Sequence, residues 1–179
     1  MDKIQDEEIL DSEIIQTIES AKKKYFSFYI NWTDHDTYFK WTFLIFAVIH
    51  NREELVRYLL ADPRISVNYG FGGNNTAIHL LCDNYNASSI SILKLLIGHK
   101  DIDVNIQNWK GRTGLHRLCI FGHKEGVREL LIDARVDLTI RSNEGKTALD
   151  IAVIWGHLLR IPNEMLVHDI VRMIIEEYA

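Results

Sequence analysis

Residues 108–133 read NWKGRTGLHRLCIFGHKEGVRELLID: a polar turn, a short apolar helix, a second turn and a longer amphipathic helix. Gly111 stands where a tight turn needs positive φ. Thr113 is placed to cap the helix that follows, its hydroxyl accepting a free backbone N–H. Leu115, Leu118 and Cys119 recur at helical spacing, and Gly122-His123 closes this helix and opens the next. Val127, Leu130 and Leu131 mark the buried face of the second helix.

The unit recurs. Thr42 opens an apolar helix ending near Ala47, followed by Leu55, Val56, Leu59 and Leu60. Thr76, Ala77, Ile78, His79 and Leu81 precede Ile92, Leu93, Leu95 and Leu96. Thr147, Ala148, Leu149, Asp150 and Ala152 precede Gly156-His157 and an apolar C-terminal segment. The threonines are spaced 34, 37 and 34 residues apart, the longest interval having extra residues around 84–89. Asp103-Val104-Asn105 and Asp137-Leu138-Thr139 close two of the units in the same phase.

On these residues the chain resembles the ankyrin-repeat family, whose unit of about 33 residues carries T-P-L-H-x-A after a β-turn. The match in the third unit runs through Gly111, Thr113, Leu115, His116, Gly122, His123, Val127, Leu130 and Leu131, with Gly114 in place of Pro and Leu118 in place of Ala. The resemblance implies an all-α solenoid of about four stacked helix-turn-helix repeats, at residues 37–70, 71–107, 108–141 and 142–179. Expected helices cover 42–49, 52–61, 76–82, 88–98, 148–155 and 164–178, beside the two in the third unit. The last pair is separated by an insertion over 157–163 containing Pro162.

Residues 1–36 lie outside the repeats. Ile4, Leu10, Ile14, Ile15 and Ile18 form one apolar face in an acidic helix over roughly 3–28, or two helices joined near Lys24. A solenoid end exposes apolar surface unless something covers it. This segment is therefore read as an N-terminal cap, seated by Tyr25, Phe26, Phe28, Tyr29, Ile30 and Trp32, with a partner-binding arm as the alternative.

The 179 residues suffice for one buried core. A net charge of −5 without a basic stripe argues against nucleic acid. No apolar run reaches the ~18 residues of a membrane span, and the acidic start, MDKIQDEEIL, is unlike a signal peptide. Cys82 and Cys119 take equivalent core positions too far apart for a disulfide, and no C-x-x-C pair offers a zinc site. Buried thiols suit a reducing compartment, so a cytoplasmic location is expected. His79 and His116 occupy the His of T-P-L-H-x-A, which in the family is structural. No catalytic, cofactor or metal site is read from the sequence, and no enzyme activity is expected.

In the ankyrin family the turn tips and exposed residues of the first helices line a concave binding side. Carried over, that side comprises Tyr38, Phe39, Trp41, Ile49 and His50; then Asn75, Asp83 and Asn84; then Trp109, Lys110, Arg112, Ile120 and Phe121; then Asn143, Glu144, Lys146, Ile154 and Trp155. The aromatic content is unlike a solvated face, and aromatic and Arg residues are enriched at interface hot spots. The expectation is a non-catalytic adaptor or inhibitor, a monomer binding one protein partner with some acidic character through Trp109 and Phe121. A pathogen effector acting on a host protein fits that description. The alternative is a structural segment of a larger protein, or a homodimer formed through this aromatic side.

Overall fold

The computed structural model describes residues 11–24, 42–84, 89–158 and 164–178. Among them run nine helices: α1 Asp11–Lys24, α2 Phe43–Ile49, α3 Glu53–Leu60, α4 Ala77–Asp83, α5 Ser89–Ile97, α6 Gly114–Phe121, α7 Lys124–Leu131, α8 Ala148–Leu158 and α9 Glu164–Tyr178. The described residues hold no strand beyond one isolated antiparallel bridge between Phe71 and Asn75. The helices form two rows. The inner row stacks α2, α4, α6 and α8; the outer row stacks α1, α3, α5, α7 and α9.

The apolar periodicity explains the rows. Val56, Leu59, Leu93, Leu96, Val127, Leu130 and Ile174 on the outer helices are fully buried, as are Ile78, Cys82 and Leu118 on the inner ones. Burying one such Leu or Ile contributes about 1.5–3 kcal/mol. No helix in the described repeats before α8 exceeds nine residues. Helices this short are marginal alone in water, so stacking holds them together.

Each inner helix starts at a threonine cap. Thr42 Oγ1 accepts from the Ile45 N–H at 3.2 Å. Thr76 and Thr113 form reciprocal capping boxes with His79 and His116. The Thr76 N–H lies 3.3 Å from His79 Nδ1. A backbone N–H can only donate, so Nδ1 accepts and the ring proton sits on Nε2. That Nε2 lies 2.8 Å from the Arg112 carbonyl in the next turn. His116 repeats the device, with Nε2 3.1 Å from the Lys146 carbonyl. In the first repeat Ile45 fills this position and in the last Asp150 does, accepting from the Thr147 N–H at 2.9 Å.

A second set of bridges ties the loops that close each repeat. Asn68 Nδ2 donates to the Asp101 carbonyl at 2.8 Å while its Oδ1 accepts from the Asp103 N–H at 2.9 Å. Asn105 does the same for the Arg135 carbonyl and the Asp137 N–H, at 2.6 and 2.8 Å. Gly122 ends α6 in the left-handed conformation, φ 69°. Asn51, φ 53°, takes that place between α2 and α3, as Asn tolerates it better than most residues.

At the N-terminal end α1 packs on α3. Ile14 and Ile15 rest on the core, Asp11 pairs with Arg52 at 2.7 Å, and the Tyr58 hydroxyl donates to Glu19. The rest of the expected apolar face, Ile4, Leu10 and the Ile18 side chain, lies outside the described residues, as does the aromatic run over 25–32.

One boundary differs from expectation. α8 continues through Gly156 and His157 to Leu158, so these residues do not form the inter-helix turn that Gly122 and His123 form. A glycine without a left-handed conformation to enforce the stop simply continues the helix, at about 1 kcal/mol relative to Ala. Residues 159–163, including Pro162, lie outside the described ones.

Burial lowers the pKa of both His79 and His116 below the ordinary histidine value. The neutral ring is thus the folded form, and its stabilisation is present above the ordinary value near 6.5 and lost as pH falls from there through the depressed value. Urea unfolding should show stability declining from pH 7.5 to pH 5, with a shallower slope in His79→Gln. His116→Leu, which removes the bond to the Lys146 carbonyl and leaves that carbonyl only the Ser142 N–H, should cost about 0.5–1.5 kcal/mol at pH 7.5.

Candidate functional site

The turns before the inner helices project as a row of tips. In the third repeat the Asn108 N–H donates to the Arg112 carbonyl at 3.0 Å, and Gly111 (φ 67°) makes the reversal possible. The tips are hydrogen-bonded to each other: the Trp109 N–H reaches the Gly73 carbonyl at 2.7 Å and the Asn143 N–H the Lys110 carbonyl at 2.9 Å. Trp109 is 62% exposed although its backbone is fixed. Its indole lies over Gly73, where an added Cβ would come 2.3 Å from Cδ1. The Lys110 ammonium sits 4.9 Å from the ring centroid, a cation–π arrangement.

A second aromatic–cation unit lies at the far end of α6. Phe121 is 44% exposed. The Arg117 guanidinium stands 5.3 Å from its ring centroid, and Arg117 is held in turn by Asp83 of the preceding inner helix. The His123 ring lies 5.9 Å from Phe121, centroid to centroid. The rise of α6 separates Phe121 from the tip of its own repeat by about 12 Å. Arg117 was not expected in this site. Its spacing four residues before Phe121, on one helix face, is the sequence signal that finds it.

The other expected residues divide. Asn143 and Lys146 are exposed, and the Asn143 side chain donates to the Trp109 carbonyl at 2.8 Å. Asn84 is exposed and donates to the Leu80 carbonyl. Asn75 is committed on both sides: its Nδ2 donates to the Gly72 carbonyl and its Oδ1 accepts from Asn108. Arg112 is mostly buried and pairs with Glu144 at 2.8 Å, so it is not a free cation on the face.

Ile120 corrects the expectation outright. It is buried, 7% exposed, whereas Ile154, its equivalent in the last repeat, is 37% exposed. The following repeat covers the first, whereas Ile154 lies on α8, the last inner helix among the described residues. Trp41, Tyr38 and Phe39 lie outside the described residues, as does the side chain of Trp155; the Trp155 backbone belongs to α8.

The cysteines are core residues. Burial pushes the Cys119 thiol up to about 12 and the Cys82 thiol higher still, which removes thiolate reactivity at neutral pH. Among the described residues no cluster of His, Cys, Asp or Glu could hold a metal ion. No helix among them is long and apolar enough to cross a membrane.

A family model for ankyrin repeats, three copies, matches residues 16–108 and 78–178. The chain belongs to the ankyrin-repeat family. Ankyrin repeats are in general protein–protein interaction modules rather than catalytic folds. The chain is 34% identical over 114 residues to an ankyrin repeat protein of Fowlpox virus, covering 62% of this chain and 32% of that one. It is 32% identical over 108 residues to protein phosphatase 1 regulatory subunit 12A of Mus musculus, covering 56% of this chain and 10% of that one. It is 31% identical over 97 residues to an E3 ubiquitin-protein ligase of Arabidopsis thaliana, covering 54% of this chain and 18% of that one. The match thus spans at most a third of these relatives' length.

The seat of Trp109 is testable. Gly73→Ala places a methyl group into the indole at a position with φ 87° and should cost about 1 kcal/mol or more. The same substitution in a Trp109→Ala background should cost less, because only the backbone strain remains; a double-mutant cycle by urea unfolding reads the difference.

Proposed function

We propose that this ankyrin protein is a non-catalytic adaptor or inhibitor that binds one protein partner through its concave side, with Trp109 and Phe121 as the anchors. The observation that carries the reading is that Trp109 combines 62% exposure with a fixed backbone and a seated ring. An exposed aromatic already held in place loses little freedom on binding, which is where affinity is gained. Lys110 flanks it, Arg117 flanks Phe121 and Lys146 is exposed in the next turn, so the partner surface contains carboxylates near an apolar pocket. Asn84 and Asn143 offer rim hydrogen bonds. Occlusion or scaffolding is the mode of action, with no chemistry on the partner.

The two buried, inert thiols fit a reducing compartment such as the cytosol. The likeness to a poxvirus ankyrin repeat protein supports the reading of a pathogen effector that works on a host protein.

The test is affinity capture from a eukaryotic lysate, followed by binding titration of the recovered protein against wild type and Trp109→Ala/Phe121→Ala. The double variant should keep its helical circular dichroism and lose at least ten-fold in affinity, about 1.4 kcal/mol or more. Equal binding by both proteins would remove Trp109 and Phe121 as anchors.

A further inference from the structure

Two columns of side chains run along the concave side. Four residues after each capping threonine stand Phe46, Leu80, Arg117 and Ile151. Seven residues after it stand Ile49, Asp83, Ile120 and Ile154. On a helix these two positions are a turn apart and share a face. Each column is apolar in three repeats and charged in one, and the two exceptions, Asp83 of α4 and Arg117 of α6, are paired with each other. The stack does not require this pair, since the other repeats fill both positions with apolar side chains. It is also well shielded, the Arg117 and Asp83 side chains being only 17% and 21% exposed. A shielded ion pair replaced by apolar groups is often neutral or stabilising, so its use lies outside the stack.

The pair is made through one nitrogen. Arg117 Nε donates to Asp83 Oδ1. Nη1 and Nη2 donate to no described residue, yet neither is shut off from solvent. Arg112 differs, its Nε being buried without a partner. Phe121 backs the Arg117 guanidinium, with 5.3 Å from its central carbon to the ring centroid. Asp83 thus fixes the direction of the ion and Phe121 limits its tilt. What is left open is the Nη1–Nη2 edge, a planar fork that matches the two oxygens of a carboxylate.

We propose that this fork takes the carboxylate of an Asp or Glu side chain in a short partner segment that crosses the inner helices, with apolar side chains of the segment against Leu80 and Phe121. The inference rests on the concave side being the partner-binding one, and it says which cation there recognises the acid. Asp83 is a positioning residue. The Nη1–Nη2 edge lies across the guanidinium carbon from Nε, so the cation stands between Asp83 and the incoming carboxylate. A phosphate group fits less well, because its second negative charge adds to the repulsion from Asp83. The acid is internal to the segment, because the columns continue on both sides of Arg117. Phe46 and Leu80 are half-buried before it, and Ile154 is 37% exposed after it.

Peptides of about twelve residues extend to about 40 Å, enough to cross four helices packed about 8–10 Å apart. A displayed random library of that length, selected on the full chain, should converge on Asp or Glu flanked by apolar residues. With the selected peptide made synthetically, replacing its acid by the amide and Arg117→Gln in the chain should each weaken binding at least about ten-fold. The two changes together should cost no more than either alone. Arg117→Gln should fold, since the same position holds Phe46 and Leu80 in stacked repeats. Arg117→Lys should also bind more weakly, because an ammonium offers no paired donors. Asp83→Ala should keep its circular dichroism and shrink the penalty for the amide peptide, an effect that a loss of stability does not produce. No selected peptide, peptides without an acid, or an acid whose removal costs as much in Arg117→Gln as in wild type would overturn the proposal. Peptides of the last two kinds that still lose affinity in Trp109→Ala/Phe121→Ala would leave the concave side as the binding side; peptides indifferent to that variant would remove both.

Discussion

The bond from His79 Nε2 to the Arg112 carbonyl is the constraint on which the rest of the stack depends. It requires a neutral imidazole with its proton on one particular nitrogen. The capping box supplies the tautomer, because the Thr76 N–H occupies Nδ1. The neighbouring repeats supply the neutrality, because they remove the ring from water. The repeats therefore make the bond possible and the bond fixes where the next turn begins. His116 carries the same logic one repeat further.

That register is what turns a loop residue into a binding feature. Trp109 sits two residues before the glycine that reverses the chain, on a turn whose other end is held by His79 through the Arg112 carbonyl. A loop aromatic in a mobile segment would have to be ordered by its partner. Here the ordering cost is borne by folding, through the bond to Gly73, the missing Cβ beneath the indole and the Asn143 amide on the Trp109 carbonyl. Phe121 is fixed differently, on a helix whose length and rotation are set by core residues such as Leu118 and Cys119. Two anchors of different origin thus keep one spacing.

The repeat fold was legible because its period, its threonine caps and its apolar spacing all agree, and each is a local property of the chain. The candidate surface was legible only in part. Trp109 and Phe121 could be placed from their register in the repeat, but Ile120 could not. Its burial depends on the following repeat, and a pattern read one unit at a time treats Ile120 and Ile154 alike. Asn75 and Arg112 read as free polar groups for the same reason, their partners Asn108 and Glu144 lying in the next turn. The loop bridges of Asn68 and Asn105 escaped notice because a polar residue at the end of an apolar strip gives no sign of which backbone group it will meet some thirty residues later. The end of α8 was misplaced because Gly156-His157 looks like Gly122-His123, and a dipeptide does not record whether its glycine turns left-handed.

Six side-chain bridges share a direction. His79 reaches forward to the third repeat and His116 to the fourth; Asn68, Asn74, Asn105 and Gln107 likewise donate to carbonyls one repeat later, while Arg135 and Asn143 donate back to Ile97 and Trp109. A chain leaving the ribosome therefore completes those six donors before the carbonyls that they will hold. Each repeat, once stacked, offers a template for the backbone that emerges next, and the solenoid can grow with its synthesis rather than waiting for its end.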